Sequence, residues 1–392
     1  MKRRVVAVGL VMIANAIIQF DWLTFAPMND AAAAYYRVST DTVGLFALSF
    51  AVLFLPLGIP AGWYIDKFGV RASMRLAAML LAVGAVVRAA DGFGAALTGQ
   101  VLLAVAQPII MSVISPLAAT RHPERERLTV VSLCMMSSFA GLALAFLIVP
   151  AAFAGAGIAT TLAATAAVHL VLAIGMMVFI GNDTAVRSDT LHIEQRAVAG
   201  LLRDRSFLIL LGFILLGNGY FNGLLTWLEQ LLHDQGFDAT RAGYAGVAII
   251  IGGVAGSIVI PALAARVGGL RGAAPIGLAA TILFSPIALQ TENAFVLYAA
   301  CALLGFSLMG LVPLLIDAVS VIAGPARAGF ALATFWVVAN AGAAAMIAAL
   351  PAFSRGTDWR PAVWALETIL IFELLLTPLV PRSATTLEVP KS

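Results

Sequence analysis

Asn15, Gln19 and Trp22 fall within about 60° of one another when plotted at about 100° per residue, a polar-aromatic stripe in an otherwise apolar run. Amides turned toward lipid leave donors and acceptors unpaired, so this stripe must face protein or a watery cavity. Amide groups beside an indole ring can hold a neutral molecule, or an organic cation over the ring face. Trp22 has a second reading as an interfacial anchor, because tryptophan collects near membrane surfaces. Farther along, the glycine-dense stretch Leu216-Gly217-Asn218-Gly219-Tyr220-Phe221-Asn222-Gly223 weakens a regular helix and reads as a hinge or broken helix at a site. Close helix packing through its small residues is the alternative. Asn218, Asn222 and Glu229 share a face within about 40°. Gln107 precedes Pro108, with Gln100 two turns earlier and Met111 one turn later, and Phe335, Trp336 and Asn340 add two rings and an amide. Together these residues describe a cavity rich in amides and aromatics and poor in fixed charge.

Ionisable residues inside apolar runs are costly and are therefore functional candidates. Asp21 and Glu229 sit near run ends, where either carboxyl group can carry a coupling proton; Asp21 flanks a cavity mouth or pairs with a neighbouring helix. The clustered His, Asp and Glu residues show neither metal-ligand spacing nor a nucleophile arrangement. A phosphate loop of the form G-x-x-x-x-G-K-[ST] does not occur. No enzyme, no cofactor and no metal are expected, and ATP-driven pumping is unsupported. Cys134 and Cys301 each lie in the middle of an apolar run and read as small core residues.

Composition shows what kind of helix carries these residues. Of 392 residues 61% are hydrophobic and 11% charged, and the mean hydropathy is +1.00, whereas a soluble domain carries roughly 25% charge. That is roughly 240 apolar residues, about what twelve spans of about 20 residues need. The runs lie near 5–27, 42–64, 72–89, 95–119, 128–150 and 159–180, then, after a polar stretch, near 206–230, 243–265, 272–289, 294–317, 328–350 and 361–379. The expected fold is an all-α membrane protein of twelve transmembrane helices in two six-helix bundles. Its parts are an N-terminal bundle over 1–181, a connector over 182–205, a C-terminal bundle over 206–381 and a tail over 382–392. With both termini cytoplasmic, the outer segments keep only Arg37, Arg88, Arg241, Arg355 and Arg360 of the 23 Lys and Arg residues, as the positive-inside rule requires. The basic residues are scattered between runs, which excludes a nucleic-acid partner despite a net charge of +3.

Two halves with a mid-membrane site between them are the layout of secondary transporters, and a short loop repeats. Gly62-Trp63-Tyr64-Ile65-Asp66-Lys67-Phe68-Gly69-Val70-Arg71 separates the second and third runs, and Arg266-Val267-Gly268-Gly269-Leu270-Arg271, which lacks the acid, separates the eighth and ninth. Asp66 can pair with basic neighbours such as Lys67 and Arg71, or face a helix N-terminus, while Gly69 permits a tight turn. Such a network latches one conformation; the alternative is that the basic residues only enforce topology. The first loop resembles the signature G-x-x-x-D-[RK]-x-G-x-[RK] of the major facilitator superfamily and sits between the same helix pair. That resemblance places the third, sixth, ninth and twelfth helices outside the central cavity, so that His169, Glu367 and Glu373 are expected in structural pairs or buried interfaces.

A particular branch is also suggested. Gln19-Phe20-Asp21-Trp22-Leu23-Thr24-Phe25-Ala26-Pro27, Tyr35-Tyr36-Arg37-Val38-Ser39, Gln100 to Pro108 and Arg203-Asp204-Arg205-Ser206-Phe207 resemble the feline leukaemia virus subgroup C receptor-related transporters and their prokaryotic relatives. Characterised animal members transport choline and ethanolamine, and haem export has been ascribed to them. The resemblance implies an aromatic cage whose first-helix tryptophan is Trp22. The cage tyrosine falls on Asn222, with Tyr220 two residues away; the fifth-helix glutamine falls on Phe139; the eleventh-helix glutamine meets Trp336 or Asn340. The expected function is secondary active or facilitative transport of a small metabolite, such as an organic cation or amine like choline, across the cytoplasmic (inner) membrane by alternating access. The rivals are a proton-coupled drug or metabolite efflux antiporter and a transporter of haem or another amphipathic ligand. The fifth run, Ser137 to Ala145, lacks the Gly-Pro-rich antiporter motif. The expected partners are a small-molecule substrate, the lipid bilayer and, if coupled, protons; the chain is expected to act as a monomer.

Overall fold

The computed structural model describes residues 2–179, 200–324, 327–356 and 358–381; most of the expected connector and the whole expected tail lie outside the described residues. Eleven helices among them are long and apolar enough to cross a membrane, and the one β feature is an isolated bridge between Arg355 and Asp358. The chain divides into two compact units, Met1–Asp189 and Thr190–Ser392.

In the first unit α1 (Lys2–Trp22) leads through a 3-10 turn at Ala26–Met28 into the short helices α2 (Asn29–Tyr36) and α3 (Thr40–Val43). Ser39 starts α3 by accepting a hydrogen bond from the Thr42 amide at 3.2 Å. Next come α4 (Leu45–Arg88), α5 (Phe93–Arg121), α6 (Glu124–Ala156) and α7 (Ile158–Phe179). At 44 residues α4 would be about 66 Å long if straight, about twice a bilayer core. It is two passes joined at Gly69, whose φ of 81° only glycine adopts freely. This corrects the expected loop between the second and third runs: Gly62 to Phe68 stay helical, and Gly69 alone makes the turn. The same fact explains why eleven helices carry twelve apolar runs.

The second unit contains α8 (Arg205–Thr226), α9 (Leu228–His233), α10 (Ala239–Ala264), α11 (Leu270–Gln290), α12 (Ala294–Met309), α13 (Val312–Ala323), α14 (Ala328–Ala349) and α15 (Arg360–Leu376). Side-chain oxygens open three of them: Asp204 accepts from the Ser206 amide at 2.8 Å, Asp238 from Arg241 at 2.8 Å and Asn293 from Phe295 at 2.9 Å. Gly268 and Gly269, at φ 91° and 69°, turn the chain between α10 and α11 where Gly69 turns it in the first unit.

Glycines set the closest helix pairs. A Cβ on Gly141 of α6 would strike the Ala16 backbone of α1, and one on Gly342 of α14 would strike Leu215 of α8. In terms of the apolar runs, the first packs on the fifth and the seventh on the eleventh, so one pairing recurs six runs apart. The expected break over Leu216 to Gly223 is not found: that stretch is regular helix. Its glycines serve approach to α14 instead, a Cβ on Gly219 falling 2.9 Å from the Gly342 carbonyl oxygen. The helix breaks one turn later, at Trp227.

Candidate functional site

In the first unit the polar stripe of α1 divides into three environments. Asn15 is fully buried, and its amide nitrogen donates to the Cys134 carbonyl at 2.6 Å and the Ser138 hydroxyl at 2.6 Å. Those donors are committed to joining α1 and α6. One turn on, the Gln19 amide nitrogen lies 3.8 Å from the Met111 sulfur of α5. On the same helix the Gln107 side-chain oxygen is buried with no hydrogen-bond partner. Trp22 is half-buried; its indole N–H donates to the Ala47 carbonyl of α4 at 3.0 Å, and its ring lies parallel to Phe50 at 6.2 Å. Phe139 is half-buried on α6.

Asp21 turns the other way, into a closed polar cluster. Its Oδ1 meets the Arg88 guanidinium at 2.7 Å and its Oδ2 meets the His169 Nε2 at 2.6 Å. Arg88 also donates to the Gln100 side-chain oxygen at 3.1 Å, and the Gln100 amide returns a hydrogen bond to the Asp21 backbone carbonyl at 2.8 Å. Asp21 and Arg88 are both 0% exposed. This corrects the placement of Arg88 in an outer solvent segment: it ends α4 but is folded inward, because Asp21 offers a buried countercharge. Run-end position cannot reveal this. The signal available was the presence of a single Asp in α1 and a single His in α7 within apolar sequence, which require partners.

Near the far end of the first pass of α4, Asp66 makes no ion pair among the described residues. The Lys67 ammonium lies instead over the Trp63 ring at 4.8 Å and the Phe68 ring at 5.2 Å, and the Nε atoms of Arg71 and Arg75 are buried without a hydrogen-bond partner.

In the second unit the Asn218 amide donates to the Ala339 carbonyl of α14 at 2.7 Å, and Asn222 donates to the Asn218 carbonyl at 2.9 Å. Tyr220 is fully buried, its hydroxyl 2.7 Å from Ser285 of α11. On α14 the half-buried Trp336 meets Phe335 edge-on at 5.4 Å. Asn340 donates to the Trp336 carbonyl at 2.9 Å and leaves its own side-chain oxygen buried and unpartnered. Glu229 lies buried on α9 beside Gln230, whose amide approaches it at 3.4 Å. Trp227, between α8 and α9, donates to the Ile347 carbonyl near the end of α14 at 3.0 Å and packs on Trp359 at 5.3 Å. It thereby fixes where α8 stops, a role that its place in the sequence does not signal. Glu367 and Glu373 are buried on α15, Glu373 against Gly217 of α8.

The family model described as Major Facilitator Superfamily matches residues 11–347. Solute carrier family 49 member A3 of Xenopus tropicalis is 27% identical over 281 residues, covering 66% of this chain and 58% of the relative. The choline/ethanolamine transporter flvcr2b of Danio rerio is 24% identical over 283 residues, with the same coverage of 66% and 58%. The match thus spans somewhat over half the length of these relatives. Among solved structures, a bacterial homolog of the human lysosomal transporter Spinster, inward-facing and occupied, superposes with a TM-score of 0.79 at 12% identity, covering 99% of this chain and 98% of that one. At that identity the likeness concerns the fold.

Proposed function

The chain belongs to the Major Facilitator Superfamily, and from that premise we propose that it is a secondary transporter moving a small organic cation or amine, such as choline, across the cytoplasmic membrane by alternating access. It is a multi-pass integral membrane protein. One observation carries the substrate class: each unit separately holds a half-buried tryptophan and a buried amide oxygen that has no partner. In the first, Trp22 is one turn from Gln19, which reaches Met111, one turn from the orphan oxygen of Gln107. In the second, the Asn340 amide donates to the Trp336 backbone carbonyl one turn back, and the Asn340 side-chain oxygen is the orphan. Acceptors and ring faces suit a ligand that brings donors or diffuse positive charge. The one arginine fully buried among the described residues, Arg88, spends its terminal nitrogens on Asp21 and Gln100. The printed activity of the flvcr2b relative, choline and ethanolamine transport, lies in the same substrate class.

Uptake of labelled choline into proteoliposomes, with and without an inside-negative potential, tests the reading. Uptake that rises with the potential and falls at least about tenfold in Trp22→Ala supports it. No uptake by folded wild type overturns the choline assignment.

A further inference from the structure

We propose that the Asp21–His169 contact is a proton-binding site, and that the proton it holds ties α1 to α7. The hydrogen-bond geometry points to it. The His169 Nδ1 lies 2.6 Å from the Thr165 backbone carbonyl, and a carbonyl only accepts, so Nδ1 carries a hydrogen. The other ring nitrogen, Nε2, lies 2.6 Å from the Asp21 Oδ2. With Nδ1 already protonated, a neutral ring and an ionised carboxylate would press two lone pairs together at that distance. One additional proton must therefore sit between Nε2 and Oδ2, whether it is written on the imidazole or on the carboxyl group.

The charged and titratable groups around this proton are few. Arg88 from α4 holds the other carboxylate oxygen at 2.7 Å and also reaches the Thr165 hydroxyl at 3.4 Å. The Tyr36 hydroxyl of α2, which feels the Arg88 charge, is buried without a hydrogen-bond partner. From α5 comes the neutral Gln100, and α6 contributes the neutral Asn15 contacts lower on α1. Arg88 and the protonated pair together carry one positive charge; loss of the proton to water makes the cluster neutral. The deprotonated ring keeps a single N–H and can satisfy either the Thr165 carbonyl or Asp21, never both. One of the two 2.6 Å contacts must then open, releasing α1 from α7 or turning the ring on its own helix.

His169 and Asp21 are 1% and 0% exposed, so the proton exchanges with water only when one of these contacts opens. Protonation and helix position are thus linked, and Trp22 follows Asp21 directly in the chain. In transport terms this is the coupling-ion site. That step rests on the transporter reading, whereas the presence of the proton does not.

Nitrogen-15 spectra of histidine-labelled full-length protein in lipid nanodiscs, with the carbon-13 signal of the Asp21 carboxyl group, test the site without any substrate. His169→Gln identifies the ring signal by its loss. The expected result at pH 7.5 is a ring protonated on both nitrogens, or a ring protonated on Nδ1 beside a protonated Asp21; Asp21→Asn converts the pair to an ordinary neutral ring. A neutral ring carrying its hydrogen on Nε2, or one on Nδ1 beside an ionised Asp21, overturns the proposal. Should Asp21→Asn leave Arg88 buried without a countercharge and fail to fold, Asp21→Asn with Arg88→Gln makes the same comparison. A flux arm reads the coupling: an imposed pH gradient changes choline uptake at least about threefold in wild type and not in His169→Gln. A gradient response retained in folded His169→Gln overturns the coupling role alone. Absence of choline uptake in wild type speaks against the substrate assignment and leaves the spectra to decide the proton.

Discussion

The amide of Asn15 and the indole of Trp22 belong to one stripe of α1, yet the structure gives them different work. Asn15 donates twice to α6 from a fully buried position, and each such hydrogen bond is worth about 0.5–1.5 kcal/mol. Asn15→Ala is therefore expected to lower the thermal midpoint of the purified protein while leaving its choline affinity unchanged; an affinity loss without a stability loss reverses that assignment. Trp22 keeps part of its ring uncovered. Trp22→Phe, which retains an aromatic face, should keep most of the affinity, and Trp22→Ala should lose about 2 kcal/mol, roughly thirtyfold, in isothermal titration with choline. The stripe itself was legible because amides in apolar sequence stand out by type. Which amide is spent on packing was not, since Cys134 and Ser138 are more than a hundred residues from Asn15.

Whole helices are placed by small residues and by single anchors. Gly141 faces the Ala16 backbone with no room for a Cβ, whereas Gly212 of α8 has nothing within 4 Å of that position. Gly141→Val is expected to cost several kcal/mol through forced separation of α1 and α6, read as loss of a monodisperse peak in size-exclusion chromatography. Gly212→Ala should be neutral or stabilising by up to about 1 kcal/mol, since alanine is the better helix former. If both behave alike, the contact is not what holds the pair. The glycine-dense stretch of α8 teaches the same lesson: read locally it weakens a helix, but in place it brings α8 against α14, and tertiary contact overrides the local preference. The break moves to Trp227, whose indole N–H occupies a carbonyl in the last turn of α14.

Across the whole molecule, one device appears in both units. An asparagine and a glycine close the first run on the fifth through Asn15 and Gly141, and the seventh on the eleventh through Asn218 and Gly342. That recurrence is what an internally repeated transporter fold requires. Orientation is testable at this scale because both native cysteines are 0% exposed and should not react with a membrane-impermeant maleimide. In intact cells, Arg241→Cys should label from outside and Arg266→Cys only after the membrane is opened; the reverse pattern inverts the topology read from the basic residues.

Composition and run length by themselves determined that the chain spans a membrane many times as helices, because burying backbone polar groups in lipid leaves few other solutions. The loop from Gly62 to Arg71 was enough to suggest the family, because Gly69 must turn there and its spacing is short and local. Where the charges go is settled by the packing of distant helices. Asp21 finds Arg88 and His169 across 67 and 148 positions, and pairing in a buried cluster depends on distance in space, which leaves no periodic mark along the chain.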